Sequence, residues 1–123
     1  MGFRVEAVSG KTAVLAHVDL PGPPRVGKYG VDLASFERVA LPSIASPTGV
    51  VVIDELGKME LASERFQYAV STLFDSDLPI VATVHAFSHP ITDDLKQRPG
   101  VQRIVVSQQS RDRLPEDLAA LVT

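Results

Sequence analysis

Apolar and polar side chains alternate through Phe3-Arg4-Val5-Glu6-Ala7-Val8, and residues 13–18 are strand-like as well. Alternation with a period of two marks a strand with one buried face. The two runs predict a β-hairpin over 3–8 and 13–18, with Ser9-Gly10-Lys11-Thr12 as its turn. Leu20-Pro21-Gly22-Pro23-Pro24 holds too much proline for regular structure and reads as a loop that continues to Gly30. Asp32 is placed to cap a short helix over 33–40 that Pro42 ends, and 43–48 reads as a connector.

Val50-Val51-Val52-Ile53 places β-branched residues in an unbroken row. Such a row predicts a strand buried on both faces, as in a parallel sheet covered by helices. A helix is predicted over 63–74, because Ala62, Phe66, Ala69, Val70 and Leu73 fall on one face. Residues 79–84 read as a second buried strand and 91–97 as a short helix stopped by Pro99-Gly100. A third core strand is predicted over 101–106, and a terminal helix over 113–122 with Pro115 near its first turn. Strands alternating with helices predict an α/β fold with a mostly parallel sheet, to which the hairpin is an addition. The pattern shows no repeat and no internal boundary, so residues 1–123 read as one domain.

Composition narrows the function classes. The formal net charge of −3 gives no basis for a nucleic-acid or membrane surface. No apolar run approaches the length of a membrane span. The absence of cysteine excludes disulfides and thiolate chemistry and fits a cytoplasmic protein. Gly10-Lys11-Thr12 copies the last letters of a phosphate-binding P-loop, but Val5 stands where that loop needs its first glycine. The segment therefore reads as a hairpin turn.

The chemistry concentrates in Gly49-Val50-Val51-Val52-Ile53-Asp54-Glu55-Leu56-Gly57-Lys58-Met59-Glu60-Leu61. A hydrophobic strand ends in two acids, and open α/β sheets bind ligands beyond the carboxyl ends of their strands. Asp54 could hold Mg²⁺, which needs only one or two carboxylates beside water and phosphate oxygens. Glu55 could orient or deprotonate an attacking water, which is the Walker B arrangement of phosphoryl-transfer enzymes. An acid pair that merely caps the following turn is the competing reading. Thr83 could approach a terminal phosphate or simply be a buried strand threonine. His85 and His89 are four apart, but Pro90 argues against the helical geometry of a metal pair, which leaves them as loop histidines. Asp93-Asp94 suits a helix N-terminus, and Met59 and Phe66 read as core contacts.

The segment from Val51 to Phe66, together with Arg25-Val26-Gly27-Lys28-Tyr29-Gly30-Val31-Asp32, resembles the small nucleoside-triphosphatase family that includes the cancer-related nucleoside triphosphatase. The hairpin and the stretch from Arg98 to Leu118 are similar to the same family, so the resemblance covers nearly the whole chain. It implies a three-layer, P-loop NTPase-like fold and Mg²⁺-dependent hydrolysis of nucleoside triphosphates, ATP or GTP, to diphosphate and phosphate. On matching positions it makes Asp54 the metal-side acid and Glu55 the catalytic base. Lys58 is a second catalytic candidate, with a solvated turn lysine as the alternative. Arg25 and Lys28 are candidate nucleotide contacts or solvated loop cations. Arg111 is a candidate base contact, in a Ser110-Arg111-Asp112 loop where family members carry Asn-Arg-Asp.

The family begins with a strand, a P-loop and its helix, whereas this chain starts at the hairpin. The expectation is therefore an incomplete sheet, weak nucleotide binding, and either self-association or completion by a P-loop-supplying chain. A non-hydrolytic module that acts through protein contacts is the alternative to an enzyme.

Overall fold

The computed structural model describes residues 1–45, 47, 49–107 and 111–122. Strands β1 (Gly2–Glu6) and β2 (Thr12–His17) form the predicted hairpin, paired antiparallel with a register shift at Phe3/Arg4. Gly10 makes the turn at φ +96°, a conformation that side chains with a Cβ avoid, and its N–H bonds the Ala7 carbonyl at 2.9 Å. The Gly-Lys-Thr triplet is thus a hairpin tip.

The proline-rich segment is more ordered than its composition predicts. After it, β3 (Arg25–Val26) and β4 (Tyr29–Val31) pair antiparallel, and β4 adds to β2. The result is a four-stranded antiparallel sheet in the order β1-β2-β4-β3. Arg25 fixes this second hairpin by donating to the carbonyls of Leu20 and Lys28, each at 2.8 Å.

Helix α1 (Leu33–Ala45) starts at the predicted cap. The Asp32 carboxylate accepts the Ser35 N–H at 3.1 Å and the Ser35 hydroxyl at 2.7 Å. The helix then runs through Pro42 instead of stopping before it. Proline removes one ladder N–H, but Phe36, Val39 and Ala40 are buried here, and Ser43 donates to the Val39 carbonyl at 2.6 Å. Packing outweighs the missing bond. Of the predicted connector, Ser46 and Thr48 lie outside the described residues.

Strand β5 (Val51–Leu56) and β6 (Ile80–Val84) pair parallel as a separate two-stranded sheet. Between them in sequence comes a single 3-10 turn, Glu60–Ala62, and helix α2 (Glu64–Phe74), capped by the buried Ser63, whose hydroxyl oxygen accepts the Phe66 N–H at 3.1 Å. Helices α3 (Pro90–Gln97) and α4 (Leu114–Val122) complete the described elements. One buried cluster joins the two sheets through Leu15, Val31, Phe36, Ile53, Leu56 and Phe66. Phe36 and Phe66 meet edge to face with centroids 4.9 Å apart.

Three expectations need correction. The sheet is not mostly parallel, because four of the six described strands are antiparallel. β5 is not buried on both faces: Val51 and Ile53 point into the core, while Val52 is 69% exposed. Residues 101–106 form no strand, and Val105 and Val106 are largely exposed. β-Propensity is context-dependent, so these β-branched residues do not by themselves dictate a strand.

The cap gives a measurable pH effect. Hydrogen bonds from the Ser35 hydroxyl and then its N–H hold the Asp32 carboxyl below its ordinary value of 3.8. A depressed carboxyl contributes stability above its unfolded pKa and loses it as pH falls through the folded one. Asp32→Ala should cost about 1 kcal/mol in urea unfolding at neutral pH. That difference from wild type should shrink progressively below pH 3.8.

Candidate active site

The β5–β6 ladder contains an irregularity where the acids sit. Ile53 pairs with Ala82 and Leu56 with Val84, so Asp54 and Glu55 together oppose Thr83 alone. Two residues against one is a bulge, which breaks the strict alternation of faces. Consecutive carboxylates, which a regular strand would send to opposite faces, are both exposed at the carboxyl end of this sheet. The peptide between them is cis. Thr83, the residue facing the bulge, donates its hydroxyl to Asp54 Oδ1 at 2.5 Å.

The loops after both strands close around this tip. The His85 N–H bonds the Leu56 carbonyl at 3.3 Å, tying the end of β6 to the end of β5. Lys58 Nζ lies over the Phe87 ring, 4.1 Å from its centroid. A cation on an aromatic face is held without a carboxylate partner. His85 sits beside the charges of Glu55, Lys58, His89 and Lys96; burial first, and then the Lys96 charge, lower its pKa. Its Nε2 is 3.5 Å from the Thr92 hydroxyl, and its buried Nδ1 has no hydrogen-bond partner.

A third carboxylate, Glu60, belongs to the same tip. It is half-buried, and its Oε1 accepts the Gly57 N–H at 3.0 Å. Burial raises its pKa; the Glu55 and Asp54 charges push the same way, against the hydrogen bonds. Glu60 did not stand out in the sequence, although Gly57-x-x-Glu60 has the spacing with which an acid reaches back to cap a turn.

The other sequence candidates are placed elsewhere. Arg25 and Lys28 stand on the antiparallel sheet, where the Arg25 guanidinium is held by two carbonyls and Lys28 Nζ lies 5.6 Å from the Tyr29 ring centroid. Arg111 is exposed in the turn before α4, with its N–H on the Ser107 carbonyl at 3.0 Å, and Ser110 lies outside the described residues. His89 caps α3, its Nδ1 accepting the Ile91 N–H at 3.2 Å. Among the described residues no three His, Cys, Asp or Glu side chains are arranged to hold a metal ion. An open hollow of about 410 Å³ lies between the first hairpin and α1, lined by Lys11, Thr12, Ala13, Ser35, Arg38 and Val39. The acids line no part of it and stand on an exposed rim.

A family model described as NTPase matches residues 1–119. The chain belongs to this NTPase family. Nucleoside-triphosphatase THEP1 of Thermotoga petrophila is 35% identical over 121 residues, covering 96% of this chain and 68% of that protein. Nucleoside-triphosphatase THEP1 of Methanosarcina acetivorans is 40% identical over 121 residues, covering 95% of this chain and 67% of that protein. The crystal structure of THEP1 from the hyperthermophile Aquifex aeolicus matches with a TM-score of 0.90 at 30% identity, over 98% of this chain and 76% of that chain. At that similarity this NTPase-family chain shares the fold of the solved protein. No helix among the described residues is long and apolar enough to cross a membrane.

Proposed function

We propose that residues 1–123 are the acid-bearing, Walker B part of a cytoplasmic nucleoside triphosphatase, folded as one domain. The observation that carries this reading is the bulge that exposes Asp54 and Glu55 side by side at the end of β5. Asp54 fits a magnesium ion, because Thr83 fixes one of its oxygens while the carboxylate stays exposed, and magnesium accepts few protein ligands beside water and phosphate. When bound, the metal offsets the negative charge of the triphosphate. Glu55 orients a water and takes its proton as the water oxygen attacks the terminal phosphorus. The bond from that phosphorus to its bridging oxygen breaks, releasing diphosphate and phosphate. Lys58 is free of any carboxylate ion pair among the described residues and can turn from Phe87 toward the developing charge. Lys28 and Arg111 remain candidate nucleotide contacts, and Arg25 would join them only by releasing its carbonyls.

No stretch of the sequence reads Gly-x-x-x-x-Gly-Lys-Ser/Thr. We therefore assign the phosphate cradle to polypeptide outside these residues or to a second chain. Hydrogen bonds to charged groups contribute about 1.5–3 kcal/mol each, so lacking three of them weakens binding by roughly three to six decades. These 123 residues by themselves should accordingly bind ATP or GTP weakly and turn it over slowly.

Phosphate release from millimolar Mg²⁺-ATP or Mg²⁺-GTP tests the reading. Glu55→Gln should lower turnover by about 100-fold or more, the usual contribution of a general base; unchanged turnover would refute the assignment. The exposed apolar side chains Val50 and Val52 favour the second reading, a non-hydrolytic module acting through protein contacts. Lack of both turnover and calorimetric binding at millimolar nucleotide would decide for it.

The same bare face predicts association. Size-exclusion chromatography with light scattering should show species larger than the 13.2 kDa monomer at tens of micromolar. A single monomer peak would contradict it.

A further inference from the structure

The turn between the acid pair and Lys58 is held from outside by Glu60. Gly57 is gripped through both of its peptide groups: its N–H donates to Glu60 Oε1 at 3.0 Å, and its carbonyl accepts the Leu61 N–H at 2.9 Å. Gly57 is buried. A Cβ at this position would lie 2.9 Å from Glu60 Oε1 and 3.2 Å from Glu55 Oε1. Two carboxylates therefore converge on one glycine, the first from the bulge and the second from the 3-10 turn. The residue on one side of Gly57 is Leu56, fully buried and paired with Val84; on the other side is Lys58, exposed and stacked on Phe87. Any rotation of the Gly57 peptide moves the direction in which Lys58 leaves the strand and the space into which Glu55 fits.

We propose that Glu60 is a positioning residue for Glu55 and Lys58: its carboxylate anchors the Gly57 amide and so sets how the base and the lysine face a bound triphosphate. The proposal rests on the triphosphatase reading of the site. Glu60 touches no reacting atom; it acts through the turn. The acceptor atom carries the effect, and glutamine keeps an acceptor of the same length. Gly57→Ala perturbs the same arrangement from the opposite side, because the new methyl group pushes against both carboxylates while Glu60 is retained.

The test has two arms on the same purified chain. In the first, amide exchange at Gly57 is followed by NMR without nucleotide. Glu60→Ala should speed it by about 10-fold or more, the loss of roughly one hydrogen bond, and Glu60→Gln should leave it within about threefold of wild type. In the second, Mg²⁺-ATP turnover should fall about 10- to 100-fold in kcat for Glu60→Ala, with KM changed less than about threefold, as for partners that orient a reacting group. Glu60→Gln should restore most of that loss. Gly57→Ala should lower kcat similarly, and the double variant should lose no more than the worse single one. Thermal melts confirm that each variant is folded. Unchanged Gly57 exchange in Glu60→Ala overturns the proposal, as does a Glu60→Gln enzyme no better than Glu60→Ala. If wild type shows neither turnover nor calorimetric binding at millimolar nucleotide, the triphosphatase reading fails, while the exchange arm still decides whether Glu60 holds the turn.

Discussion

The parallel ladder between β5 and β6 carries one residue too many, and the site follows from that mismatch. Ile53 and Leu56 must both stay in the core, where they are nearly or fully buried. In a regular strand these two residues, three apart, would face opposite sides. The bulge at Asp54–Glu55 reconciles them: it absorbs the odd residue, returns Leu56 to the core and leaves both acids outside. Core packing on either side of the pair thus fixes the position of the two carboxylates. Thr83 opposite, His85 clamped to Leu56, and Glu60 on Gly57 then limit the freedom of the exposed tip.

The two sheets divide the molecule's work. The antiparallel sheet and α1 share the core with β5 and α2, so Leu15 and Val31 support the same cluster as Ile53 and Leu56. Arg25 serves that framework by closing the β3–β4 hairpin, in a place where its charge was the only sequence clue. The parallel sheet has one finished face and one exposed face, and Val52 marks the difference.

Much of this was legible in the sequence because periodicity and capping are local. The alternating run at Phe3–Val8, the Asp32 cap and the Phe66-Val70-Leu73 stripe each gave an element close to the observed one. The acid pair was equally plain, but Asp54 and Glu55 were expected beyond a strand ending at Ile53, whereas both lie inside β5, which runs on to Leu56. What failed depended on neighbours. Pro42 continues a helix because Phe36, Val39 and Ala40 are packed, and the β-branched residues of 101–106 do not by themselves make a strand. The bulge was invisible because its cause is the register against β6, and Glu60 was invisible because its acceptor role depends on how Gly57 folds back.

The central claim is that the exposed bulge is where a metal–triphosphate complex meets this chain. Amide resonances can be followed during titration with Mn²⁺ and a nucleoside triphosphate, since the paramagnetic ion broadens signals by proximity. The account predicts that Asp54, Glu55 and Thr83 broaden first, with Lys58 close behind. Broadening that begins instead around Lys11, Ser35 and Arg38, or that spreads evenly over the surface, would contradict it.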